Sequence, residues 1–328
     1  MIEGGRLFWL FYKRNFNLEG VSLVINVIVP VLIILGAGYL FGKYVKVDYS
    51  PISKFSMIVL SPALIFSFLI RSNLSPSSIF QVVVVILVFT IMIAAVTVFV
   101  MKITDNKEII NPALLSTVFP NTGNFGLPIL LFAYGEEAFS IGVIIVVVNF
   151  VLMYSLGVYF ASLEGESWAK GIRNILKLPT TYATLLAVLV LTLQIPVPDF
   201  IYDPIKLMGD AMVPVVLLIL GIQLSRTNIQ SESMSMKGRY SINIAFITGI
   251  RLIGGPVITL GILALFTVEP LTAKVLILQN AMPTAVLMTM IAEEYKAQSS
   301  LVANATFINT IASVISITAL LYLLETYL

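Results

Sequence analysis

Phe119-Pro120-Asn121-Thr122-Gly123-Asn124-Phe125-Gly126-Leu127-Pro128 lies inside a long apolar run and argues against a continuous helix there. Pro120 removes an amide, and its ring clashes with the preceding turn. Gly123 and Gly126 tolerate unwound geometry. Asn121, Thr122 and Asn124 can bond the backbone groups that such a break frees.

The setting of this stretch is lipid. Of 328 residues, 59% are apolar and 11% charged, and the mean hydropathy is +1.01, far from soluble domains. A hydrocarbon core of about 30 Å needs roughly 20 apolar residues per spanning helix. Every amide inside it must bond within a helix or a closed barrel. Runs such as Val82 to Val100 lack the period-two alternation of barrel strands, so the chain reads as all-α. Hydropathy predicts ten transmembrane helices near 21–42, 52–71, 79–101, 112–133, 138–161, 176–194, 203–224, 241–266, 271–292 and 299–324. The first 20 residues, with Leu7 to Tyr12 running into Lys13 and Arg14, read as an interfacial segment. No small-residue cleavage site follows, so no signal peptide is expected.

The chain has no Cys and no His, which removes disulfides, thiolate or imidazole metal sites and the usual catalytic triads. No enzyme activity, cofactor or metal is expected. Basic residues are scattered through loops and form no stripe with aromatics, so nucleic acid is not a partner. Glu136-Glu137 and Glu293-Glu294 fall at span ends and read as solvated loop acids.

Counting Lys and Arg in alternate loops orients the chain. One set holds Lys43, Lys46, Lys54, Lys102, Lys107, Lys170, Arg173, Lys177, Arg226, Lys237, Arg239 and Lys296; the other holds Arg71, Lys206 and Lys274 plus the N-terminal tail. Both termini are therefore expected outside a plasma membrane.

The two halves also echo each other. Pro51-Ile52 leads through Lys54 to Pro62, and Pro204-Ile205 leads through Lys206 to Pro214; Pro120 pairs with Pro283, and Glu136-Glu137 with Glu293-Glu294. Five spans per repeat put the second repeat into the membrane from the opposite side, an inverted-topology arrangement. The expected organisation is an N-terminal segment over 1–20, a first five-helix repeat over 21–161, a cytoplasmic linker over 162–175 and a second repeat over 176–328.

The ninth span carries Gln279-Asn280-Ala281-Met282-Pro283-Thr284, again polar and Pro-broken at mid-depth. Paired breaks in corresponding positions point to a transport site. Each break begins a half-helix whose free N–H groups carry the positive end of a dipole. The fourth and ninth spans run in opposite directions, so if they cross, two such ends converge and can hold an anion without a basic side chain. Pro120, Gly126 and Pro283 are the expected breaks. Asn121, Thr122, Gly123, Asn124, Asn149, Asn280, Pro283 and Thr284 are the expected substrate-binding residues.

These features resemble the auxin efflux carrier family, within the bile acid/auxin transporter superfamily. The resemblance rests on Pro30 to Gly42, Ser61 to Phe68 (SPALIFSF), Phe119 to Ile129, Pro179 with Ile195-Pro196-Val197-Pro198, Gly209-Asp210-Ala211 with Pro214, Arg251-Leu252 with Pro256, and Pro283 with Glu293-Glu294. It implies a scaffold of spans 1, 2, 6 and 7, a mobile unit of spans 3–5 and 8–10, crossing fourth and ninth helices, small carboxylate substrates such as auxin or malonate, and a homodimer. Two departures stand out. Only Gln223 to Tyr240 replaces the long cytoplasmic loop of plant members, and the ninth span has Gln279 and Asn280 where the bile acid branch has sodium-binding acids.

Two ionisable residues inside spans need an explanation. Arg251 lies about 15 Å deep if its span starts near Ser241, where it neutralises the substrate or pairs with an acid; with a later start it snorkels to the cytoplasmic face. Asp210 is either a proton-coupling carboxylate or an outer-rim acid. Asn304 and Asn309 read as interhelical clasps. The function that follows is alternating-access transport of a small organic anion through the bilayer. The alternatives are a proton- or sodium-coupled symporter of the same architecture and a non-transporting metabolite receptor.

Overall fold

The computed structural model describes residues 25–45, 48–71, 76–162, 176, 179–226 and 238–328. The expected interfacial segment 1–20, nearly all of the linker 162–175 and most of the loop that follows Gln223 lie outside the described residues. Among those residues the regular structure is all helical, with one isolated bridge. Its elements are α1 (Ile25–Tyr44), α2 (Ser50–Ile70), α3 (Ser77–Ile103), α4 (Ile110–Val118), α5 (Thr122–Ala161), α6 (Pro179–Thr192), α7 (Asp199–Arg226), α8 (Tyr240–Leu263), α9 (Pro270–Asn280), α10 (Val286–Glu294) and α11 (Ser299–Tyr327).

Seven of these, α1, α2, α3, α5, α7, α8 and α11, are long and apolar enough to cross a membrane. Large apolar side chains point outward along them, including Ile33, Ile91, Phe99, Ile253 and Ile315, as a lipid-facing surface requires. The other expected spans differ for local reasons. The fourth is split into α4 and the start of α5. The fifth follows without a gap in the helix, because the direction changes at Gly135, whose φ of 75° suits a residue without a Cβ. The ninth is split into α9 and α10, and α6 covers only 14 residues.

Proline also shapes helices that stay continuous. Widened π-turns occupy Ser56–Leu60, Thr122–Gly126 and Ile250–Gly254, and each ends two residues before a proline: Pro62, Pro128 and Pro256. The proline ring crowds the carbonyl four residues back and supplies no amide, so bonding in the preceding turn shifts outward by one residue. A further π-turn at Met153–Gly157 has no such proline.

Packing sorts the helices into two groups. α2 lies along α6 and α7, while α1 meets α7 where Gly38 faces the Leu218 backbone and Gly221 faces Leu35. A Cβ at either glycine would collide with main chain, so only glycine permits this approach. The second group packs α3 on α4 and α8, α5 on α9, and α11 on α10 and α4. Contact between the groups is made where the first turn of α5 meets α7 and α2 meets α5, with the Phe68 and Phe139 rings 4.3 Å apart.

Candidate functional site

α4 ends at Val118, and Phe119 turns to extended backbone (φ −106°, ψ 99°) before Pro120 and Asn121 lead into α5. α9 ends at Asn280, and Ala281 to Ala285 lead into α10. The two interruptions cross and pair. The Asn121 amide donates to the Pro283 carbonyl at 2.7 Å, the Ala285 amide donates to the Phe119 carbonyl at 2.9 Å, and Pro120 and Thr284 form an antiparallel bridge. Where water is unavailable, each break satisfies polar backbone of the other.

Side chains brace this crossover from behind. The Thr284 hydroxyl donates to the Ser116 carbonyl and accepts from Asn309 Nδ2 at 2.8 Å. Asn280 Nδ2 donates to the Thr259 hydroxyl at 3.1 Å. Arg251 is fully buried, and its two terminal nitrogens donate to the carbonyls of Thr117 and Asn280. Those carbonyls belong to the C-terminal ends of α4 and α9, the negative ends of their dipoles. Arg251 therefore does not snorkel to a membrane face. Asn304 Nδ2 reaches the Tyr240 hydroxyl at 2.9 Å, so Asn304 and Asn309 are both interhelical clasps.

A cavity of about 340 Å³ opens on the front of the crossover. Its polar lining comes from Asn121, Thr122, Gly123, Asn124 and Asn149, and its apolar lining includes Val146, Phe150 and Met153. Ala285, Val286 and Leu287 close it from the other chain segment. The first turns of α5 and α10 thus face the same space, and each leaves backbone donors without an intrahelical acceptor. Asn121 and Asn149 are 4% and 3% exposed, and the Nδ2 of each has no hydrogen-bond partner. No acidic side chain lines the site, whose surroundings are of low dielectric. Each helix start favours an anion by about 0.3–1 kcal/mol at a surface and up to about 2 kcal/mol when partly buried.

The profile of a family described as membrane transport protein matches residues 23–172 and 166–321. The chain belongs to this family, the auxin efflux carriers that its sequence resembles. This membrane transport protein is also similar to an uncharacterized transporter of Methanocaldococcus jannaschii. They are 23% identical over 307 residues, covering 89% of this chain and 96% of the relative. An uncharacterized transporter of Methanothermobacter thermautotrophicus is likewise 23% identical over 297 residues, covering 88% and 95%. Membership makes it a multi-pass membrane protein, as its apolar helices require.

Other expected residues of this transport protein fall elsewhere. Asn280, Pro283 and Thr284 take part in the crossover but do not line the cavity. Asp210 pairs with Lys206 at 2.9 Å, with its side chain 44% exposed, away from the crossover. Gly126 packs against the Gln279 side chain, which is fully buried with both amide atoms unpartnered. Val146, Phe150 and Met153 had no signal in the sequence, because apolar residues of a membrane helix look alike whether they face lipid or a cavity.

Proposed function

We propose that this protein is a secondary transporter that carries a small organic anion, a carboxylate, by alternating access at the helix crossover. One observation carries the reading: the helix starts at Thr122 and Val286 share a cavity with the unpartnered amides of Asn121 and Asn149. Such a site binds negative charge through neutral donors and helix dipoles.

The same reading counts ten crossings in two inverted five-helix repeats, with α4 and the first leg of α5 as one interrupted span and α9 and α10 as the other. The group containing α1, α2, α6 and α7 acts as scaffold, and the crossover moves with the second group. Two further cavities flank the site along α7. One, of about 400 Å³, shares Gly123, Asn124, Val146 and Phe150 with it and reaches Met212, Val213 and Val216. The other, of about 720 Å³, shares Val286 and reaches Leu220, Gln223 and Arg226. Cavities on either side of the crossover, one against the middle of α7 and one against its C-terminal end, are the spaces through which alternating access would pass a substrate.

Counterflow uptake of labelled small carboxylates into proteoliposomes tests the proposal. Accumulation of at least one acid, competed by its unlabelled form, is expected. Uptake restricted to cations or neutral solutes would overturn it.

A further inference from the structure

A broken helix carries a built-in opposition. Its first half ends in unpaired carbonyls worth about half a negative charge, and its second half begins a few residues later with about half a positive charge. At this crossover the two negative ends belong to α4 and α9, and the two positive ends to α5 and α10. Uncorrected, the pairs nearly cancel, and an anion in the cavity gains little.

Arg251 stands at the negative pair. Its side chain is fully buried, and one nitrogen donates to Thr117 at the end of α4 while another donates to Asn280 at the end of α9. No acidic side chain forms an ion pair with it among the described residues. Phe89 lies beneath the guanidinium, 5.6 Å from ring centre to Cζ. Gly255 leaves the room required, since a Cβ there would collide with both the Asn280 carbonyl and the guanidinium.

We propose that Arg251 is a positioning residue that clamps the C-terminal ends of both half-helices and cancels their negative charge, so that the cavity is left with an unopposed positive field. The guanidinium acts through the crossover and does not touch the substrate. This rests on the carboxylate reading of the cavity and explains its charge preference. Thr117 and Pro120 are three Cα steps apart, at most about 11 Å, which places the cation within roughly 15 Å of the polar lining. In an effective dielectric of about 20, removing a unit charge at that distance changes the occupancy of a charged probe about sixfold.

The absence of native cysteine permits a test that needs no known substrate. Val146, a cavity residue, is replaced in Val146→Cys. Its reaction rates are compared with methanethiosulfonates carrying a sulfonate or a trimethylammonium group, in otherwise native protein and with Arg251→Gln or Arg251→Lys. With each rate divided by that for a simple thiol in solution, the anionic reagent is favoured in the native background. Arg251→Gln lowers the anionic-to-cationic ratio at least tenfold, since the charge acts on the two reagents in opposite directions, whereas Arg251→Lys preserves it. A ratio unchanged in folded Arg251→Gln overturns the proposal. If the glutamine variant does not fold, the native background decides, and a scaled ratio that favours the cationic reagent overturns it. Because the ratio reads the field and not transport, it separates this proposal from failure of carboxylate uptake.

Discussion

The Asn121 amide donates to the Pro283 carbonyl at 2.7 Å, joining two helix breaks that lie 162 positions apart in sequence. With the return bond from Ala285 to Phe119 it forms the smallest possible piece of antiparallel sheet inside a helical protein. The pairing fixes how the breaks cross, and the crossing fixes where the starts of α5 and α10 point. In the proposed transport reading, binding chemistry at the cavity is therefore set by backbone, and side chains refine it.

Unpartnered donors predict a separation of binding from folding. Asn121→Ala and Asn149→Ala each remove an amide whose Nδ2 makes no hydrogen bond within the protein, so thermal midpoints stay near native. A hydrogen bond to a charged group is worth about 1.5–3 kcal/mol, so anion affinity falls roughly tenfold or more per site. Titration calorimetry on purified protein checks both halves. Asn149→Asp, which puts an acid into the cavity, weakens binding further than Asn149→Ala.

The clamp at Arg251 predicts a contrast between neighbouring glycines. Gly255→Ala drives a Cβ into the Asn280 carbonyl, which cannot move without disturbing the crossover, whereas Gly249→Ala meets nothing within 4 Å. Overpacking of this kind costs about 1–3 kcal/mol. Thermal unfolding in detergent is expected to show a lowered midpoint for Gly255→Ala and little change for Gly249→Ala. Equal midpoints would mean that the packing behind the crossover is loose.

Asp210 predicts a silence. It forms a partly exposed pair with Lys206, one turn away on α7, and such pairs contribute at most about 1 kcal/mol. Asp210→Asn leaves uptake and its pH profile unchanged. A flattened profile would instead identify Asp210 as a coupling carboxylate.

The flanking cavities predict sidedness. Thr306→Cys reports on the cavity near Arg226, and Val213→Cys on the cavity at the middle of α7. A membrane-impermeant maleimide labels the first from the cytoplasmic face and the second from the outer face. Labelling of both from one face would reject opposed vestibules.

Much of this arrangement is legible in the sequence. Prolines inside apolar runs marked both breaks, and Asn121 and Asn149 stood out as polar residues that lipid would not tolerate unexplained. The direction in which Asn280 points was not legible. A residue at a break has no helical face to assign, and only the crossing turns its amide toward Thr259. The fate of Arg251 was equally hidden, because its partners are carbonyls, which every residue possesses. The corner between the fourth and fifth spans was legible in the gap at 134–137, and there Gly135 takes its positive φ.

The most direct test of the central claim is counterflow uptake of labelled carboxylates by proteoliposomes, comparing native protein with a folded Asn121→Ala/Asn149→Ala double variant. An anion-binding crossover predicts saturable uptake of one acid by native protein and loss of most of that uptake in the variant. Native-level carboxylate uptake by the variant would place the substrate elsewhere and contradict the account.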